Sequence, residues 1–548
     1  LDEIYLRWCK NVEINKYKEF SMLITLVGFA FFFGVLLSRF GLPPMVGFLV
    51  AGFAYNVAGF ETPTGLQLVA DLGVTLLLFT IGLKLDLKGL AKSEIWGTSL
   101  AHIVVSTVFF TAVIALAQWL IPLPLFELSW MAMIVLGFAL SFSSTVFAVK
   151  VLEDKGDMSA FYGKVAIGIL VMQDVFAVVF LAVSEGKYPT VWALLVFLLL
   201  VPLVRKLIYK LLDSAGHGEL LVLSGLFFAL GAGYEFFKVV GLKGDLGALI
   251  LGVVIANHPK ASELAKSLFS FKELMLVGFF LSVGMQGLPD VPMLLTALVL
   301  CLLLPIKTFL YYLIVVRFGL RSRTSLFTSL SLANYSEFGL IVAALGVTQG
   351  WLSVDWLIIV AIAVSVSFAF ASPFSLGSEN AYQRFKRFWD RFQGSTLHAK
   401  DQMLDTGNAK VLIIGMGRVG TGAYDELEAV WPGQVLGIEH NAEKADYERA
   451  AGRNVKVGDA TDTDFWNTIK VANSKDLIVL AMPSHHSNVY AAQQIRNAGL
   501  NCQVVAIAKF GEEVKELNEL NVPSFNMYSE AGLGLARHAL DAMALQKA

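Results

Sequence analysis

The sequence predicts a multi-pass α-helical membrane domain followed by a cytosolic Rossmann-like α/β domain, on three observations. Apolar residues make up 56% of the 548-residue chain, charged residues only 16%, and the mean hydropathy is +0.66. That composition is foreign to ordinary soluble domains. The apolar material is concentrated before about residue 376, and a soluble-like composition follows it. The soluble part opens on a strand that runs into a Gly-x-Gly-x-x-Gly turn. A net charge of −2 without an extended basic tract argues against a nucleic-acid partner. Cys9, Cys301 and Cys502 lie too far apart for a disulfide framework or a metal site, so no metal is expected.

A bilayer core about 30 Å thick takes roughly 20 helical residues to cross. After a tail, 1–19, a membrane domain over 20–376 divides into thirteen segments. These are 20–38, 44–60, 66–83, 96–120, 128–149, 165–184, 190–204, 220–237, 246–257, 274–285, 294–316, 325–349 and 356–374. The first run is long enough to span rather than to act as a cleaved signal. Alternate loops on one side hold Arg39, Lys84, Lys88, Lys92, Lys150, Lys155, Lys164, Arg205, Lys206, Lys210 and several more. The other side holds only Lys187, Lys238 and Lys243. The basic side is therefore expected in the cytoplasm of an inner (plasma) membrane, together with the C-terminal domain. The tail, with Arg7, Lys10, Lys16 and Lys18, then faces outward against the rule. Residues 79–84 echo 280–285, and a six-plus-one-plus-six layout implies inverted repeats with broken crossing helices. Chance apolar similarity is the alternative for so short an echo.

Asp174 is the one charge in the apolar stretch 165–183, with Gln173 beside it. An acid near the midplane is a functional candidate, because a bare charge is costly there. Ser143, Ser144 and Thr145 interrupt the fifth segment, and Asn334-Tyr335-Ser336-Glu337 the twelfth. Irregular backbone is tolerated at that depth only where it lines a cavity or is buried in protein. The alternative is that these hydroxyls bond back to their own helix or join helices. Lys307 falls well inside 294–316, so a carboxylate partner is expected for it, either Asp174 or Glu337. Lys307 and Glu337 are thus assigned to charge support. His102, Glu235 and Lys238 are placed near segment ends, in interfacial or snorkelling roles. Desolvation favours a proton on Asp174, whereas a partly dehydrated cation favours the ionised form. Competition for one site, with alternating access, suffices for exchange of one proton for one monovalent cation.

Over 377–407, Arg384, Lys386, Arg387 and Arg391 alternate with Phe385, Phe388, Trp389 and Phe392, which reads as a basic amphipathic linker. The domain 408–548 begins with Lys410–Ile414 and the turn Gly415, Met416, Gly417, Arg418, Val419, Gly420. The turn and the helix after it cradle phosphates, and Glu439, closing the next strand, can accept from ribose hydroxyls. Asp459 and Ala460 stand at the end of a further strand beside the crevice, where Asp459 touches the nucleotide or caps the following helix. An adenine nucleotide, NAD(H) or AMP, ADP or ATP, is the expected ligand.

The Gln173-Asp174 pair, Ser143-Ser144-Thr145, Phe279–Met285 and Ser336-Glu337-Phe338-Gly339 resemble the cation:proton antiporter-2 family. Gly415–Gly420 with Gly458-Asp459-Ala460-Thr461 resembles a regulator-of-potassium-conductance N-terminal domain. In that order they are similar to a Kef-type potassium efflux antiporter. The resemblance implies a homodimer in membrane lipid, not an enzyme, that exchanges K⁺ for H⁺ under control of a nucleotide. Gln before Asp is the pattern that the resemblance associates with potassium. The stretch 258–267 is not markedly acidic, so glutathione control is not carried over. A Na⁺/H⁺ antiporter of the same fold is the close alternative. A membrane-anchored NAD-dependent oxidoreductase is more distant, because no second catalytic domain follows. A potassium channel lacks its selectivity-filter sequence here.

Overall fold

The computed structural model describes residues 21–40, 43–84, 91–121, 123–155, 157, 160–184, 203–239, 244–376, 382–398, 401–402, 404–460, 465–466, 469 and 475–545. The chain divides into two compact units, Leu1–Val151 with Val165–Gly394, and Leu152–Lys164 with Ser395–Ala548.

The first unit is helical, and among the described residues nine helices are long and apolar enough to cross a bilayer. Helices cover most of the predicted segments, with the differences given below, while the seventh, 190–204, lies almost wholly outside the described residues and the tail 1–19 wholly so. Local chemistry sets several starts. Ser129 and Asp290 accept from Ala132 N–H at 3.1 Å and Met293 N–H at 2.8 Å, capping Trp130–Ser141 and Val291–Leu302. The segment predicted at 274–285 is the helix Ala261–Gly284. Its first turns are amphipathic rather than uniformly apolar, with Leu264, Ala265 and Leu268 buried and Glu263 and Lys266 outward. The eleventh segment is two helices, Val291–Leu302 and Leu304–Arg317, because Pro305 has no N–H to continue the ladder.

The repeat is visible in packing. A Cβ added to Gly52 would meet Leu281 O at 2.6 Å and Gly284 Cα at 2.9 Å. One added to Gly82 would meet Gly252 Cα at 2.9 Å. The helix Pro44–Val57 therefore crosses Ala261–Gly284 as Gly244–Ile255 crosses Leu66–Lys84. Each crossing requires glycine on both sides, since backbone meets backbone. The pairing sets Gly82 against Gly284, so the echo runs one residue further along than 79–84 against 280–285.

The fifth and twelfth segments are each broken. Trp130–Ser141 and Thr145–Lys155 flank one break, Ser322–Ser331 and Glu337–Thr348 the other. The linker's short helix, Lys386–Asp390, lies against Leu304–Arg317: Tyr312 O–H donates to Trp389 O at 2.6 Å and Phe309 packs on Phe392.

The second unit holds a parallel sheet ordered β3-β2-β1-β4-β5-β6. The strands are β1 Val411–Ile414, β2 Val435–Glu439, β3 Val455–Val457, β4 Leu477–Leu480, β5 Gln503–Ala508 and β6 Ser524–Asn526. The order reverses between β1 and β4, which places the ligand crevice of a doubly wound sheet at the carboxyl end of β1. Leu412, Ile414, Ile438, Ile478 and Trp466 bury one face.

Candidate functional site: the crossed helix breaks and the glycine turn

In the membrane unit the two breaks meet. Ser144 N–H donates to Asn334 Oδ1 at 2.7 Å, and Ser143 Oγ to Leu332 O at 2.8 Å. Ser144 Oγ also accepts from Phe147 N–H at 3.4 Å, capping its own half-helix. Asp174, on the unbroken helix Phe161–Ser184, is buried and receives the Thr145 hydroxyl at 3.4 Å. Gln173, expected to offer its amide oxygen to an ion, uses that oxygen to accept from Ser143 N–H at 3.1 Å. Its Nε2 donates to Tyr311 Oη at 2.6 Å. Gln173 thus ties the first break to the helix Leu304–Arg317. The structure therefore brings Ser143, Ser144, Thr145, Gln173 and Asp174 together, as the sequence reading supposed.

Lys307 corrects an expectation. Its partner is not a carboxylate. Nζ donates to Phe142 O at 2.5 Å and Asn334 O at 2.8 Å, one carbonyl from each break, and lies 4.9 Å from the Tyr335 ring centroid. The reason is geometric: where the chain leaves the helix, its carbonyls lose their i+4 donors, and a buried ammonium supplies the protons. Glu337 stands in the first turn of Glu337–Thr348, with Oε2 buried and without a hydrogen-bond partner. Asn334 Nδ2 is likewise unpartnered. These groups make a polar interior at the crossing.

His102 was read as interfacial and is instead wholly buried, stacked on Tyr311. Tyr311 went unremarked in the sequence, although it lies four residues beyond Lys307 and hence on the same helix face.

In the second unit Gly415 has φ of +91°, a conformation that glycine adopts freely. A Cβ on Gly420 would collide with Gly415 O, whereas one on Gly417 would meet only Lys444 Nζ at 3.8 Å. Space at Gly417 lies over the first N–H groups of the helix Arg418–Val430, so the turn fits a phosphate. Glu439 is buried and accepts from Met416 N–H at 3.1 Å and Asn441 N–H at 3.0 Å. His440 Nδ1 and Lys444 Nζ approach it at 2.9 and 3.2 Å. Burial works against its ionisation, but the His440 bond, the Asn441 N–H and Lys444 outweigh it and hold the carboxyl down at about 2. The glutamate is thus ionised and fixed beside the glycine turn. Asp459 follows β3 on the same side and acts electrostatically on His440. Ala460 is buried, and its carbonyl receives Trp466 Nε1–H at 2.8 Å.

Broken helices crossing beside a buried acid define a secondary transporter of the inverted-repeat kind. A separate Rossmann-like unit adds a nucleotide-binding fold to it. Residues 27–376 match the family model of the sodium/hydrogen exchanger, transmembrane, and the chain belongs to that family. Residues 411–525 match the TrkA-N domain. The chain is 27% identical over 533 residues to the "Putative cation/proton antiporter YbaL" of Escherichia coli (strain K12), covering 91% of this chain and 93% of that one. Among solved structures it is similar to the sodium proton antiporter MjNhaP1 of Methanocaldococcus jannaschii (12% identity, TM-score 0.44, 65% of this chain and 99% of that one). It is also similar to the TrkA-N domain of YbaL from Escherichia coli (21% identity, TM-score 0.22, 25% and 98%). The protein is a multi-pass cation/proton antiporter that carries a TrkA-N domain.

Proposed function

We propose that this antiporter exchanges K⁺ for H⁺ by letting the two compete for Asp174. The observation that carries the reading is a buried carboxylate bridged by the Thr145 hydroxyl to the broken segment. A proton neutralises Asp174 when the site is dry; a cation shed of most of its water takes the proton's place. Lys307 holds the carbonyls of both breaks, so the crossing keeps its shape while the charge at Asp174 changes. Transport lies in 20–376, with 1–19 as a tail, 377–407 as a linker, and 408–548 as a regulatory domain on the cytoplasmic side of an inner membrane. The antiporter works as a homodimer.

An adenine nucleotide, NAD(H) or AMP, ADP or ATP, regulates exchange from the TrkA-N domain. Gly415–Gly420 would hold its phosphates and Glu439 its ribose hydroxyls, with Asp459 and Ala460 at the crevice edge. Regulation requires that the nucleotide prefer one transport conformation.

Purified protein in liposomes should dissipate a pH gradient on addition of K⁺, and Asp174→Asn should abolish the signal while leaving nucleotide binding intact. Exchange retained in that variant removes Asp174 from the mechanism. A stronger response to Na⁺ than to K⁺ makes it a sodium exchanger. In calorimetry with NADH and AMP, Gly417→Asp should erase binding, because a carboxylate would sit where the phosphate charge must go; unchanged affinity rejects the glycine turn as the site.

A further inference from the structure

His102 lies in the helix Ser93–Leu120, wholly buried, with its ring flat on Tyr311: the centroids are 3.2 Å apart and the planes 7° apart. Nε2 shares a 2.9 Å hydrogen bond with Ser106 Oγ one turn along, and Nδ1 has no partner. Tyr311 in turn accepts from Gln173 Nε2 at 2.6 Å and shares a 3.3 Å bond with Ser143 Oγ. A phenol accepts best in the plane of its ring, so a stack that fixes the plane fixes how Gln173 and Ser143 meet the oxygen. Gln173 precedes Asp174, and Ser143 lies two residues before Thr145, whose hydroxyl reaches Asp174. The chain of contact therefore runs from a helix outside the breaks into the ion site, through one aromatic face.

We infer that His102 is a positioning residue for the cation site, acting through Tyr311 to hold Gln173 and Ser143 in the arrangement that receives the ion. The inference rests on the assignment of Asp174 as the exchange site. What His102 supplies is its flat face. Phenylalanine supplies the same face at the loss of the Nε2–Ser106 bond, and alanine and leucine lose both.

The test is cation-dependent exchange in liposomes, read as the cation concentration for half-maximal rate against the maximal rate. His102→Ala should raise that concentration about tenfold with the maximal rate within about twofold, the pattern of weakened binding rather than weakened turnover. His102→Phe should stay within about twofold of the unmodified protein. Tyr311→Phe should reproduce the alanine effect, and the double variant His102→Ala with Tyr311→Phe should add nothing to either. His102→Leu fills the volume without the flat face, so it carries the same expected rise if the alanine variant is lost in purification. Additive effects, an unchanged half-maximal concentration, or a phenylalanine variant as impaired as alanine overturns the inference. An unmodified protein without saturable exchange, or full exchange in Asp174→Asn, removes the parent reading instead.

Discussion

Lys307 in the membrane unit and Lys475 in the nucleotide unit face the same physical problem and solve it with the same chemistry. They are 0% and 2% exposed, and each gives its ammonium to two backbone carbonyls. Lys475 donates to Ala409 O at 2.6 Å and Gly407 O at 3.4 Å, Lys307 to Phe142 O at 2.5 Å and Asn334 O at 2.8 Å. The carbonyls differ in origin. Those of Lys475 belong to the loop that enters β1, at the end of the sheet away from the glycine turn, so the lysine ties together the entrances of β1 and β4. Those of Lys307 exist unbonded only because two membrane helices break at the same depth. Burial of a lysine is therefore not by itself distinctive. What sets Lys307 apart is that it satisfies backbone which a membrane protein would otherwise never leave open.

The largest expected effect breaks this comparison on the membrane side. Lys307→Met keeps most of the side-chain volume and removes every donor, leaving Phe142 O and Asn334 O buried without protons. Each orphaned carbonyl costs about 1–3 kcal/mol, in a place where water is scarce. Exchange should fall below detection in the liposome assay, and the purified protein should melt at lower temperature. Nucleotide binding by calorimetry should be unchanged. A Lys307→Met protein that exchanges normally shows that the breaks find other donors, and reduces Lys307 to a packing residue.

Legibility from sequence follows the same division. Asp174 stood out because it is the one charge in its stretch, and the structure buries it; the breaks were readable because Ser143-Ser144 and Asn334-Tyr335-Ser336 put polar groups into apolar runs. The position of Lys307 was readable; its partner was not, because a backbone carbonyl freed by a break carries no residue type of its own. His102 was misread because the helix Ser93–Leu120 is longer than a bilayer crossing requires, and counting from its charged end placed the imidazole near the surface. The start of Ala261–Gly284 was missed because average hydropathy penalises Lys266, Lys272 and Glu273, although a buried stripe of Leu264 and Leu268 continues through them. The glycine turn and Glu439 were legible from spacing alone. Lys444, which pairs with that ionised glutamate, was not, since only the fold brings a helix residue back over the turn, and His440, next to Glu439 in the chain, went unremarked. The Gly52–Gly284 and Gly82–Gly252 crossings are written in the chain as matched Leu-x-x-Gly steps at 49–52 and 249–252, but only packing gives those steps meaning.

The smallest expected effect sharpens the comparison from the soluble side. Burial pushes the pKa of Lys475 below 10.5, with nearby Asp405 opposing in part. The folded unit thus holds this proton less tightly than the unfolded chain does. Where the unfolded chain binds more protons, stability rises with pH, so Lys475 should add stability as pH climbs from its lowered value towards 10.5. Lys475→Met removes that increment; water can take the ammonium's place at the exposed Gly407, whereas the buried Ala409 carbonyl loses its donor, at a cost of about 1 kcal/mol. Hydrogen exchange of the β1 and β4 amides in the intact protein reads both effects. Protection should drop slightly in the variant at neutral pH, and the difference between the two proteins should widen at alkaline pH. Cation exchange should not change at all, because nothing near Asp174 has lost a partner. Impaired exchange in Lys475→Met erases the contrast: the two lysines would then serve one function, and the origin of the carbonyls would decide nothing.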